Sequence, residues 1–245
     1  MTPADAAEKI IVALDVASEA AALELVERLG ESVRFYKIGL QLFTKCGPQI
    51  IQRVKAASAG ARIFLDLKFH DIPNTVRGAV ESACALGADM MTLHLSGGSA
   101  MIRAAAETVE KAEKSSVLLL GVSVLTSSSR ETLREIAIDC AVEDQVLRLA
   151  RLALGNGVRG IVASPQEVSL LRQLFQQKLT IVTPGVRPDW AAANDQQRTL
   201  TPRAAIDAGA DFLVIGRPIT AHTNPREAAE KIIAELSTPF SSQGA

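Results

Sequence analysis

Short apolar runs alternate with longer amphipathic stretches along the whole chain. The apolar runs are IIVALD (10–15), FYKIG (35–39), RIFLDLK (62–68) and MMTLHLS (90–96) in the first half. The second half adds SVLLLGVSVLT (116–126), GIVAS (160–164), TIVTPGV (180–186) and FLVIGRP (212–218). These have strand length or a little more, and most are rich in β-branched or aromatic residues. Between them, stretches such as EAAALELVERLG, PQIIQRVKAASAG and AEKIIAEL carry apolar residues at helical spacing. Gly30, Gly60 and Gly87 stand where a glycine closes a helix. Asn224, Pro225 and Glu227 read as an N-cap, a first-position proline and an acidic first turn.

A weak repeat reinforces the alternation. AGAR (59–62), LGAD (86–89), NGVR (156–159) and AGAD (208–211) each precede an apolar run, and they share a glycine at 60, 87, 157 and 209. Strands apolar on both faces and separated by helices predict a parallel sheet covered by helices. Eight such units in 245 residues match a (β/α)8 TIM barrel of the α/β class. An open doubly wound sheet is the alternative, but no GxGxxG follows the first strand. No linker or shift in composition divides the chain. It is therefore expected to form one domain over 1–245, with a core over about 10–236 and a loose tail, STPFSSQGA.

Composition narrows the partners. At 48% hydrophobic and 22% charged, with a net charge of −1, the chain has material for a large core and no basic stripe. Nucleic acid and anionic membranes are poor partners for such a surface, so any bound anion needs a local pocket. The three cysteines, Cys46, Cys84 and Cys140, include no CxxC pair. That disfavours a disulfide framework or structural zinc and suits a reducing cytoplasm. No secretory signal opens the chain, and no apolar run approaches the ~18 residues of a membrane span. A soluble, cytoplasmic protein is expected.

The candidate chemistry lies at strand ends, where barrels carry their sites. Asp15 ends strand one, Lys37 lies late in strand two, and Asp66 and Lys68 end strand three, with Asp71 shortly after. Alternation sends Ile63, Leu65 and Leu67 to one face of strand three and Phe64, Asp66 and Lys68 to the other. Apolar residues suit the helix-facing side, so the charged pair should project into the barrel mouth. The five residues alternate in sign along the chain, which offers each charge an opposite neighbour. A strand-end salt-bridge network without chemistry is the bland reading, and position at the catalytic rim favours function. Opposite neighbours favour the charged form of Lys68. It then suits proton donation or anion binding, and is a poor Schiff-base nucleophile.

A second signal follows strands seven and eight, which run into TPGVRP and IGRPIT. Gly185 and Gly216 allow close backbone approach, and Arg187 and Arg217 offer the bidentate donors that suit phosphate. PGVRPDWAAANDQQRTLTP is long enough to act as a lid. His94, on one face with Thr92 and Ser96, reads as a satisfied interior histidine with a secondary site role open to it. His70 and His222 have no partner at metal-ligand spacing. A magnesium site from Asp15, Asp66 and Asp71 would compete with two lysines. Ser127, Ser128 and Ser129 read as a helix-start loop, with Thr126 at the end of strand five.

DLKFHDIPNT (66–75), VALD, KIG, VLTS, PGVRP with DQQR, and IGRPIT occur in one order over roughly residues 10–236. In these motifs the chain resembles the bacterial orotidine 5′-phosphate decarboxylase family. The resemblance implies cofactor-free, metal-free decarboxylation of orotidine 5′-monophosphate to UMP. It makes Lys68 the acid that protonates C6, sets Asp66 against the departing carboxylate, and has Lys37 hold the array and contact the ribose. Asp15 would bind ribose hydroxyls and Thr126 would lie by the pyrimidine. Arg187, Gln196, Gly216 and Arg217 would hold the phosphate. Asp71 and Thr75 would reach the site of a second subunit, giving a homodimer with shared active sites. D-x-K-x-x-D also occurs in magnesium-dependent sugar-phosphate decarboxylases and synthases, so a lyase or aldolase of that kind is the alternative. A catalytically silent phosphate-binding barrel is the third reading.

Overall fold

The computed structural model describes residues 1–112, 117–191 and 200–238. The first half runs α1 (Pro3–Glu8), β1 (Ile10–Ala13), α2 (Glu19–Leu29), β2 (Phe35–Gly39), α3 (Leu40–Cys46), α4 (Gln49–Ala57), β3 (Arg62–Phe69), α5 (Pro73–Ala85), β4 (Met90–His94) and α6 (Gly98–Lys111). It continues through β5 (Leu118–Val122), α7 (Arg130–Glu135), α8 (Val142–Gly155), β6 (Gly160–Val162), α9 (Val168–Phe175) and β7 (Thr180–Thr183). The last elements are α10 (Pro202–Asp207), β8 (Phe212–Ile215), α11 (Arg217–Thr220) and α12 (Pro225–Ser237). The eight strands pair in sequence order, all parallel, and β8 returns to β1 through Ile10↔Leu213, Ile11↔Val214 and Val12↔Ile215. This is the closed (β/α)8 barrel expected from the alternation, not an open sheet.

Two apolar layers hold it. Ile11, Ala13, Phe35, Phe64, Met90, Leu120, Val182 and Val214 fill the inside of the barrel. A larger cluster lies between strands and helices and includes Ile10, Val12, Ile63, Leu65, Met91 and Leu93, with Leu67 packed against it. The alternation inferred for strand three therefore holds, with Phe64 inside and Ile63, Leu65 and Leu67 outside.

The shared glycine of the repeat has a backbone reason. Gly60, Gly87, Gly157 and Gly209 all have positive φ, from 76° to 108°. At each, the chain leaves a helix and turns into the next strand, a left-handed step that costs glycine no Cβ clash. The cap at Asn224 forms as expected, its side chain accepting from the Glu227 N–H, and Ser129 caps α7 in the same way.

The strands end earlier than the apolar runs. β5 stops at Val122, so Thr126 lies in the following loop rather than at the strand end. Side-chain bonding replaces the ladder there: Ser123 Oγ donates to Val162 O at 3.0 Å. β7 and β8 likewise stop before Pro184 and Gly216. At the N-terminus the core begins earlier than expected. α1, closed by a Thr2–Asp5 capping box, packs against α12. α12 ends at Ser237, and the rest of the tail, from residue 239, lies outside the described residues.

Candidate active site

The C-terminal ends of the strands surround a cavity of about 460 Å³, a size suited to a small-molecule ligand. Asp15, Lys37, Asp66, Lys68, Thr126, Arg187, Gly216 and Arg217 all line it. Eight of the residues singled out in the sequence are thus gathered in one space.

One half of the cavity carries a chain of alternating charge. Lys37 Nζ lies 2.8 Å from Asp15 Oδ1 and 3.7 Å from Asp66 Oδ2. Lys68 Nζ lies 2.8 Å from Asp66 Oδ1. Lys37 is buried, at 8% exposure, and the Asp66 side chain is 13% exposed. Both stand deep enough for the loss of hydration to matter, and the pairing compensates for it. The network sums to zero charge, two anions and two cations. Asp71 stands outside it. The chain leaves β3 at Phe69, and Asp71 is exposed, with Oδ1 accepting from the Ile72 N–H at 2.6 Å. Thr75, in the first turn of α5, is exposed as well.

The backbone of β3 is bent to present the pair. Lys68 has φ of +50°, a left-handed conformation that an L-residue adopts at a cost of about 1–3 kcal/mol. The β3–β4 register shifts between Leu65 and Phe69, the mark of a β-bulge, which commonly re-aims a side chain near a site. Thr92 secures the bend. Its Oγ1 accepts the Lys68 backbone N–H at 2.9 Å and donates to Asp66 Oδ1 at 3.0 Å. Thr92 is fully buried, so this one hydroxyl fixes both the strained residue and its carboxylate partner. Sequence reasoning noted Thr92 only as a neighbour of His94. Its place inside the barrel, one strand from Asp66, was the signal.

Gly39 was also passed over. It ends β2 opposite Asp66 in register. A methyl group there would come within 3.0 Å of both Asp15 Oδ1 and Lys37 Nζ, so a bare Cα leaves room for that ion pair.

His94 ends β4 half-buried, and it is less secluded than an interior histidine. Its ring lies against His70, centroids 5.3 Å apart. Burial pushes its imidazole below the usual histidine range, helped by His70 and Lys68 and opposed by Asp66.

The other half of the cavity is built from the segments after β7 and β8. These strands stand across the ring from β3. Gly185 turns with φ of +75°, and Arg187 follows, its N–H donating to Leu200 O at 2.9 Å. Arg217 opens the short helix α11 directly after Gly216. Gln196 lies outside the described residues.

A family model described as the Orotidine 5′-phosphate decarboxylase / HUMPS family matches residues 8–232. The chain is 52% identical over 237 residues to a protein of Syntrophotalea carbinolica named orotidine 5′-phosphate decarboxylase, covering 95% of this chain and 96% of that one. A protein of the same name from Nostoc sp. is 48% identical, with 94% and 98% covered. The crystal structure of orotidine 5′-phosphate decarboxylase from Lactobacillus acidophilus superposes with a TM-score of 0.83 at 36% identity, over 94% of this chain and all of that one. The chain belongs to the orotidine 5′-phosphate decarboxylase / HUMPS family.

Two outcomes follow from the geometry. Thr92→Val keeps the shape but strands the half-buried Lys68 N–H and leaves Asp66 Oδ1 with Lys68 Nζ as its remaining donor. It should cost about 1–3 kcal/mol of stability in a denaturant titration, and should lower turnover as Lys68 loses its seat. The second concerns pH. His94 is depressed in the folded state, so the unfolded chain, near 6.5, takes up the proton first. The contribution of His94 is intact above 6.5 and is lost as pH falls from there through the folded value. In urea midpoints measured across this range, His94→Asn should flatten that part of the acid slope.

Proposed function

We propose that the protein decarboxylates orotidine 5′-monophosphate to UMP and carbon dioxide, the last step of de novo pyrimidine nucleotide synthesis. The observation that carries this is the Lys68 ammonium, held 2.8 Å from Asp66 in a cavity whose far side bears Arg187 and Arg217. The reaction breaks the bond between C6 and the carboxyl carbon, and its electron pair stays on C6. The Lys68 ammonium lies beside that developing charge and transfers a proton to C6 as carbon dioxide leaves, then regains a proton from solvent. A cation fixed in advance stabilises the charge without reorganising water.

The other residues divide the remaining work. Asp66 holds Lys68 and faces the departing carboxylate. Lys37 holds Asp66 in turn and contacts the ribose, whose hydroxyls Asp15 accepts. Thr126 lies by the pyrimidine. Arg187, Gly216 and Arg217 take the phosphate, joined by Gln196. Among the described residues a methyl at Gly216 would meet Ala13 Cβ alone, at 3.7 Å, so side-chain packing does not demand a glycine there. Binding energy from a phosphate remote from C6 can then contribute to turnover as well as affinity. No cofactor enters this scheme.

The same proposal includes a homodimer with shared sites. Asp71 and Thr75 are exposed, and neither is among the described residues that line the cavity. Between them Ile72 is 66% exposed, and a large apolar side chain left in solvent beside these two polar residues suits a partner surface. A cytoplasmic location completes the reading and suits the three free cysteines. Among the described residues no helix is long and apolar enough to cross a membrane.

Loss of orotidine absorbance should proceed equally with and without chelator, and Lys68→Ala should slow it on the order of 10⁴-fold or more. Turnover of a sugar phosphate instead, abolished by chelation, would point to the magnesium-dependent alternative. Tight UMP binding without turnover, indifferent to Lys68→Ala, would point to a silent binding barrel. For the shared site, Lys68→Ala and Asp71→Asn subunits, each nearly inactive, are mixed. Each mixed dimer should regain one intact site; no recovery after verified subunit exchange would refute sharing.

A further inference from the structure

The two arginines assigned to the phosphate come from separate segments, and the barrel ladder does not set the span between them. β7 and β8 pair only at Val182↔Phe212 and Thr183↔Leu213. Both arginines lie beyond the last paired position. On one side, the Arg187 N–H donates to Leu200 O and the chain then turns, the Ala191 N–H donating to Pro188 O at 3.0 Å. Trp190 sits in this turn. Its indole meets the ring of His222 edge-on, centroids 5.8 Å apart and planes at 80°. Lys231 Nζ lies 5.9 Å from the indole centroid.

Both of those partners belong to the other side. His222 follows α11, the helix that Arg217 opens, and is itself held: its N–H donates to Ile219 O at 3.2 Å and its Nδ1 lies 3.0 Å from Asn224 N. Lys231 is on α12, paired with Glu227 at 2.7 Å. The indole thus has its backbone in the Arg187 turn and its ring on the corner between α11 and α12. It is no core residue, being 44% exposed and packed on polar side chains rather than in either apolar layer.

We infer that Trp190 is a positioning residue, clamping the Arg187 turn to the α11–α12 corner and so setting the span between Arg187 and Arg217 for a phosphate monoester. The inference rests on the phosphate reading given above. A purely structural tryptophan would affect every ligand alike, whereas a clamp of this kind acts on phosphate-bearing ligands. Edge-on aromatic contact and a cation over an indole are the interactions that hold it.

The test uses the full chain, with UMP and uridine as probes in calorimetric titrations. Trp190→Ala should weaken UMP roughly tenfold, the scale expected of a misplaced binding group, and leave uridine unchanged. KM for orotidine 5′-monophosphate should rise more than kcat falls. Trp190→Phe, which keeps an aromatic edge contact, should restore most of the loss. His222→Ala removes the partner from the other side and carries the same expectation, should Trp190→Ala fold poorly. The double variant should be no weaker than the worse single one, because both remove one contact. Equal losses for UMP and uridine, no loss, or fully additive losses would overturn the clamp. Arg217→Lys separates the two readings. If it weakens UMP selectively and Trp190→Ala does not, the clamp alone fails; if it too shows no preference for UMP, the phosphate site is wrong.

Discussion

The site depends on one carboxylate. Asp66 accepts from Lys68 Nζ and the Thr92 hydroxyl on one oxygen and faces Lys37 with the other. Remove that charge and two ammonium groups share a confined space with a single, more exposed counter-ion, Asp15. Leaving one member of a buried ion pair without its partner costs about 3–5 kcal/mol in general. The array is therefore ordered by mutual need. Each lysine is tolerable because Asp66 is there, and Asp66 is tolerable because both lysines and Thr92 are.

Such an array also explains why β3 departs from regular geometry. On an unbent strand, residues 66 and 68 would both project inward, one pleat apart. The left-handed turn at Lys68 and the shifted register break that repeat and let Lys68 Nζ close to 2.8 Å on Asp66. The bend frees the Lys68 N–H from the ladder, and Thr92 accepts it. Local strain of this kind persists only where surrounding contacts outweigh it. Here the compensation comes from the same hydroxyl that orders the carboxylate. Backbone strain and site electrostatics are one problem with one solution.

Much of this was legible in the sequence, and the limits have physical causes. The barrel could be read because strand and helix alternate with clear periods and because a left-handed glycine recurs before four strands. The site could be read because charged residues at the end of an apolar run stand out against it. Thr92 and Gly39 were harder to see. A threonine in a strand fits ordinary β preference, and a strand-end glycine fits a turn. Their importance lies in which neighbours the closed ring brings beside them. Thr126 was set too close to its strand because apolar character continues through Val124 and Leu125 after the ladder has stopped. Asp71 had the right sign to extend the charge alternation, but the chain turns outward after Phe69 and carries it away from the array.

The two halves of the cavity are built to different tolerances. The half with the alternating charges stands on β1, β2, β3 and β4, or within two residues of a ladder position. Its groups are locked by direct bonds of about 2.8–3.0 Å. The proton transfer to carbon proposed for Lys68 would require that accuracy, since misplacement of a catalytic group erodes rate steeply. The half proposed to take the phosphate stands on segments past the ends of β7 and β8, where the ladder no longer dictates spacing. Charge-assisted bonds to a dianion tolerate more movement, and a grip that can rearrange is what allows remote binding energy to act on closure. A loop freed from the ladder still needs some fixed reference, or its arginine would sample positions too widely to bind well. In this fold that reference has to come from a neighbouring element rather than from the sheet. The Leu200 carbonyl holds the Arg187 N–H on one side, and the corner between α11 and α12 is the neighbour that Trp190 meets on the other.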